Sequence, residues 1–221
     1  ASISFLSGCT VLSMSCYSVL KARLSKESLV DLKTGTPLAI GAAIGGVAGK
    51  MMFQYLSNMF ANKDQVGAIQ AFCLLIITLG TMIYTLKKDQ IKTLHVTNPL
   101  VCIAIGLVLG ICSSFLGIGG GPINLVVLFY FFSMDTKTAA QNSLYIILFS
   151  QITSLVNTLV TRTVPEFEIG LLILMVGGGI LGGAAGRIVN KRMDANMVNK
   201  LFIGLMAVIM MICAYNIYQF M

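Results

Sequence analysis

Of the 221 residues, 57% are apolar and only 10% are charged, against about 25% charged in an ordinary soluble domain. With a mean hydropathy of +0.89, the chain has too little charge to cover a water-facing surface, which excludes a soluble enzyme, a nucleic-acid binder and a disordered chain. The net charge of +7 would suggest a nucleic-acid partner in a soluble protein, but here the basic residues fall in short stretches between apolar runs, where they set membrane orientation.

A helix needs about 20 apolar residues to cross the hydrocarbon core. In chain order, runs of that length lie at 1–20, 37–57, 66–86, 97–117, 138–160, 169–189 and 197–219. A shorter piece, Pro122 to Ser133, fits a half-helix or re-entrant element. The runs do not alternate every second residue, so a closed β-barrel is excluded. The expected fold is an all-α, polytopic transmembrane bundle forming a single membrane domain over 1–221. The expected setting is the cell membrane, with the bilayer as partner and no nucleic acid. The six cysteines all sit inside apolar runs without metal or redox spacing. They read as small buried side chains, and neither a metal nor a cofactor is expected. The chain opens directly on an apolar stretch without a basic leader pattern.

Charge gives an orientation. Residues 21–36 carry Lys21, Arg23, Lys26 and Lys33, and residues 87–96 carry Lys87, Lys88 and Lys92. The stretch 190–196 carries Lys191 and Arg192, with Arg187 just before it. The intervening loops hold only Lys63 or Arg162. The positive-inside rule makes the three basic stretches cytoplasmic and puts the C-terminus outside.

An internal repeat overlies this pattern. Ala1-Ser2-Ile3-Ser4 resembles Ala140-Gln141-Asn142-Ser143 at an offset of 139, which also matches Ser15 to Ser154 and Arg23 to Arg162. Gly45-Gly46-Val47-Ala48-Gly49-Lys50 matches Gly182-Gly183-Ala184-Ala185-Gly186-Arg187 at an offset of 137. The charge tally puts matched loops on opposite sides, so the repeats, 1–86 and 97–221, read as inverted, as in many secondary transporters. Nothing precedes Ala1 to match 97–139, and the expectation is that the chain is truncated or omits that element.

Gly117-Ile118-Gly119-Gly120-Gly121-Pro122 is the sharpest motif. Four glycines break a membrane helix, and Pro122 suits the first turn of a new one. The freed backbone N–H groups and the positive helix end form an anion site. The alternative is tight packing of small residues. Asn124 follows the break, and Gln141, Asn142 and Ser143 open the next long helix. Their neutral donors suit an anion's oxygens, with Ser2 and Ser4 at the pseudo-symmetric place; interhelical hydrogen bonding is the alternative. Gln151 and Asn157 read as structural. Lys50 and Arg187 read as snorkelling to the headgroups, or as attracting an anion into a vestibule. Gly45, Gly46, Gly49, Gly182, Gly183 and Gly186 read as close-packing residues, and His95 as a surface residue. All eight acids lie in loops or at helix ends, which disfavours a cation transporter or proton relay.

Phe115 to Pro122, followed by Ala139-Ala140-Gln141-Asn142-Ser143 and the Gly-Gly-x-x-Gly-Arg segment at 182–187, resembles the TauE/SafE family of membrane permeases across essentially the whole chain. The absent first glycine element is a departure. The resemblance implies an exporter of sulfite, organosulfonates or related sulfur anions. The combined expectation is a secondary transporter for a small oxyanion, with a midplane site where Gly117 to Asn124 meets Gln141 to Ser143 and the Ser2/Ser4 region. No catalytic residue is expected. The rivals are an importer of another organic anion and a non-transporting assembly or sensor protein.

Overall fold

The structure is a computed structural model that describes residues 2–26, 28–59, 63–116 and 121–220. Among the described residues there are eight α-helices and no strands: α1 (Ser2–Leu24), α2 (Leu32–Met59), α3 (Lys63–Lys87), α4 (Pro99–Leu116), α5 (Gly121–Phe132), α6 (Thr136–Val160), α7 (Ile169–Arg192) and α8 (Ala195–Phe220). Seven are long and apolar enough to span a bilayer, and α5 is the short one. Large apolar side chains cover the outside, with Leu100, Leu174 and Leu181 each more than 70% exposed. In water such a surface would aggregate; in lipid it is the expected one. This is a multi-pass membrane protein.

The second helix starts earlier than its apolar run. Asp31 is the reason: its carboxylate accepts from the Lys33 N–H (3.0 Å) and the Thr34 hydroxyl (2.8 Å), while its carbonyl accepts from the Gly35 N–H. These bonds satisfy N–H groups that a helix start leaves orphaned. Pro37 therefore sits inside α2 rather than at its first turn, where it removes one helical bond close to the exposed Lys33.

Helix directions follow from contacts. Gly41, Gly45 and Gly49 of α2 face Ile103, Leu107 and Ile111 of α4 in order, so these helices run parallel. So do α2 and α6, which meet at Asp31–Asn142, Gly46–Ser150 and Lys50–Thr158. Thr10 and Met14 of α1 meet Gly179 and Gly183 of α7 in order. Gly8 of α1 meets Gln151 of α6, whereas Leu29, beyond the end of α1, meets Gln141, so α1 and α6 run in opposite directions. Leu29–Gln141 and Lys88–Thr136–Asn199 contacts gather the three basic stretches at one end of the bundle. The α4–α5 unit leaves that end and returns to it: Leu94 and Val96 donate to Tyr130 and Phe131 at the close of α5. With 12 residues, α5 spans about 18 Å, so its start lies within the bundle.

The core sits where α2, α4, α5 and α6 converge, around Leu38, Ala42, Cys102, Leu109, Leu128 and Ile146. All six cysteines are free. The glycines divide differently from their sequence pairing. Gly45, Gly46 and Gly49 are buried at helix contacts, and Gly183 packs on Met14 and Ser18, but a side chain at Gly182 or Gly186 would meet nothing within 4 Å. The reason is that α7 buries no residue, whereas α2 is covered by α4.

Asp135 caps α6, its side chain accepting from the Lys137 and Thr138 N–H groups. Burial raises its carboxyl pKa, but the hydrogen bonds from Thr138 and Lys137 outweigh burial and hold it below the ordinary 3.8. A depressed carboxyl stabilises the fold above its unfolded pKa and loses that contribution as pH falls through the folded value. Asp135→Ala is expected to cost about 1 kcal/mol at neutral pH. In detergent melts, the gap between variant and wild type should shrink below pH 3.8.

Candidate functional site

Gly117, Gly119 and Gly120 lie outside the described residues, and the site is built from what flanks them. Gly121 opens α5, and a side chain there would meet nothing within 4 Å. Pro122 occupies the first turn, where its missing N–H leaves no bond unmade. Near the end of α4, Gln70 of α3 donates its Nε2 to the Phe115 carbonyl (2.8 Å).

Asn124, one turn into α5, is only 2% exposed. Its Nδ2 donates to Ser143 Oγ at 3.5 Å, while its Oδ1 is buried without a partner. It lines a cavity of about 10 Å³ with Ala42, Leu109, Gly110, Ser113, Ile146, Ile147 and Ser150, which is room for about one water. Ala42 lies close to the middle of the candidate span Leu32–Leu56, so this small polar cluster sits at about half the height of that helix. Ser113, Ser143 and Ser150 are each less than 10% exposed. Ser114 adds a fourth hydroxyl near Gly46. The cluster is neutral, rich in hydroxyl donors, and enclosed by apolar side chains. In such surroundings a hydrogen bond to an anion is strong, because water does not compete for it.

Gln141 and Asn142 do different work. Gln141 Oε1 accepts from the Leu29 N–H (2.8 Å). Asn142 donates to the Leu29 and Thr138 carbonyls and accepts from the Asp31 N–H. These amides clamp the turn between α1 and α2 onto α6. Asn142→Ala is therefore expected to cost on the order of 1–3 kcal/mol in thermal stability while leaving substrate KM near wild type; a large rise in KM without destabilisation would contradict the clamp role.

The structure brings Asn124 and Ser143 together, with Gly121 and Pro122 one turn away. It does not bring Ser2 and Ser4 to them. Gly8 of α1 lies against Gln151, eight residues or about 12 Å along α6 from Ser143, and Ser2 and Ser4 lie beyond Gly8 at the start of α1. Because α1 and α6 run in opposite directions, their starts lie at opposite ends of the bundle. The sequence reading missed Gln70, Ser113 and Ser150. Ser113 stands one turn before the break and Ser150 two turns after Ser143 on one face of α6, a spacing that was available in the sequence. His95 is exposed, 3.3 Å from Ser133 Oγ. No group of three metal-ligating side chains occurs among the described residues.

Two curated relatives carry names. One is the "Probable membrane transporter protein YunE" of Bacillus subtilis, 25% identical over 189 residues, covering 78% of this chain and 66% of the relative. The other is a "Probable membrane transporter protein" of Haemophilus influenzae, 26% identical over 157 residues, covering 68% of this chain and 58% of the relative. The chain thus spans under two thirds of the length of both. No solved structure matches. The profile of the family described as "Sulfite exporter TauE/SafE" matches residues 2–212. With that match running from the first helix into the eighth, the chain belongs to the sulfite exporter TauE/SafE family of membrane transporters.

Proposed function

We propose that this protein is a secondary transporter, not an enzyme, that moves a small oxyanion, sulfite or a related sulfur anion, across the cell membrane. The observation that carries the reading is Asn124: a buried, incompletely bonded amide at mid-span, one turn into a helix that starts at a glycine break. The α5 N-terminus supplies positive potential and orphaned N–H groups. Asn124, Ser113, Ser143 and Ser150 supply side-chain geometry. None of the eight acids lies within a membrane span, so no fixed negative charge opposes an anion at this depth. The sulfur preference rests on the family's description. The cavity is too small for an oxyanion, so loading requires the short helix α5 to move relative to the packed α2–α4 pair and to α6, a rearrangement of the kind that alternating access provides.

The same proposal treats 1–86 and 97–221 as inverted repeats. The opposed directions of α1 and α6 support it, as does the correspondence between the α1–α7 and α6–α2 pairings. The basic end is the cytoplasmic one, which puts the C-terminus outside. The test is flux into proteoliposomes containing the full-length chain, using sulfite, thiosulfate, an organosulfonate and a dicarboxylate. The sulfur oxyanions are expected to move faster than the dicarboxylate. Selective movement of the dicarboxylate would transfer the reading to an organic-anion importer, and no movement of any anion would favour an assembly or sensor role.

A further inference from the structure

We propose that Lys50 is the anion's charge partner at the end of the bundle opposite the basic stretches, reached from the mid-span cluster along a lane of hydroxyls, Ser150, Ser154 and Thr158. The inference rests on the oxyanion-transport reading and adds to it the route and the residue that draws the anion along it.

Lys50 lies six residues inside the nearer end of the span Leu32–Leu56. A lysine at that depth ordinarily extends to the headgroups past lipid. Lys50 instead turns inward: its Nζ donates to Thr158 Oγ1 at 2.8 Å, and Thr158 is only 4% exposed. No acid lies within any of the membrane spans, so this partly buried ammonium has no carboxylate inside the membrane to balance it. Taking an ammonium out of water without a counter-charge is costly, and an arriving anion offsets that cost.

The lane is built by helical spacing. Ser150, Ser154 and Thr158 recur every four residues, so they share one face of α6. Ser150 lines the mid-span cavity and lies at Gly46, and Thr158 meets Lys50, one turn further along α2. A side chain at Gly46 would come within 2.9 Å of Ser150 Oγ, so the glycine leaves room for that hydroxyl. The loops at this end make the lysine more important. They carry Lys63 and Arg162 against Asp64, Glu166 and Glu168, a balance that repels an anion. The opposite end carries an excess of lysine and arginine and has no such need.

The test is zero-trans flux of labelled sulfite through the full-length chain in proteoliposomes of fixed orientation, with KM measured from each side. Lys50→Met and Lys50→Gln are expected to raise KM about 10- to 100-fold from the Lys50 side and to leave it within about twofold from the other. Lys50→Arg should restore it to within a few-fold of wild type. Glutamine keeps a donor for Thr158, so a KM rise in that variant reports the charge itself, whether or not the methionine variant is recovered folded. A wild-type KM from both sides for Lys50→Gln, with wild-type protein transporting sulfite, overturns the role of Lys50 and leaves the transport reading standing. Absence of oxyanion flux in the wild type overturns both.

Discussion

Gly45→Leu is expected to leave little folded protein. The α2–α4 contact is the tightest in the bundle, and both backbones create it. A side chain at Gly41, Gly45 or Gly49 would run into the carbonyls of Ile103, Leu107 and Ile111, the last at 2.5 Å from Cβ. From the other side, Gly106 and Gly110 leave room for Leu38, Ala42 and the Gly46 N–H. Between transmembrane helices no hydrophobic effect compensates for lost packing, so small residues that let backbones approach carry the association. Backbone atoms cannot swing aside as a side chain can, so the cost should exceed the usual 1–3 kcal/mol of overpacking. The check is gel filtration and melting in detergent. Gly80→Ala is the control: nothing lies within 4 Å of its added methyl, and it should be neutral or stabilise by up to about 1 kcal/mol. A monodisperse, wild-type-like Gly45→Leu protein would show that this contact does not hold the bundle together.

Asn124→Leu is expected to separate transport from stability. Leucine is close to asparagine in size and removes a buried acceptor that has no partner. Its effect on melting should therefore be small or favourable. Transport should fall about 10- to 100-fold in kcat/KM, the loss expected when a buried hydrogen bond to a charged ligand is removed. Flux at wild-type level in a folded Asn124→Leu protein would place the anion elsewhere. The same variant with lower melting and unchanged flux would make Asn124 a packing residue.

Much of the fold was legible in the sequence because membrane spans are set by apolar length. The half-helix α5 was legible because 12 residues cannot cross upright, and the common end of the three basic stretches was visible in the charges. The start of α2 was not, because Asp31 and its bonds to Lys33 and Thr34 begin the helix before the apolar run does. The start of α5 was legible at Gly121 and Pro122, where glycine and proline punctuate the chain. The bonding of Gln141 and Asn142 was not legible. Their amides are matched by Leu29 and Asp31, more than 100 residues away, a partnership that no local pattern encodes. Gly45 and Gly182 are paired by sequence match yet differ in environment, because their covering elements differ and a sequence match carries no information about what packs against it. Ser113 and Ser150 escaped notice because a serine in a membrane helix ordinarily bonds its own backbone.

The central claim is that an oxyanion crosses the bilayer at the polar cluster beside the glycine break. The most direct measurement is uptake of ³⁵S-labelled sulfite into proteoliposomes holding the full-length wild-type chain, compared with its Asn124→Leu variant and with protein-free vesicles. The account predicts saturable uptake by the wild type that unlabelled sulfite competes away, and uptake at least tenfold slower in the equally well-folded variant. Uptake by the wild type no faster than by protein-free vesicles would contradict it.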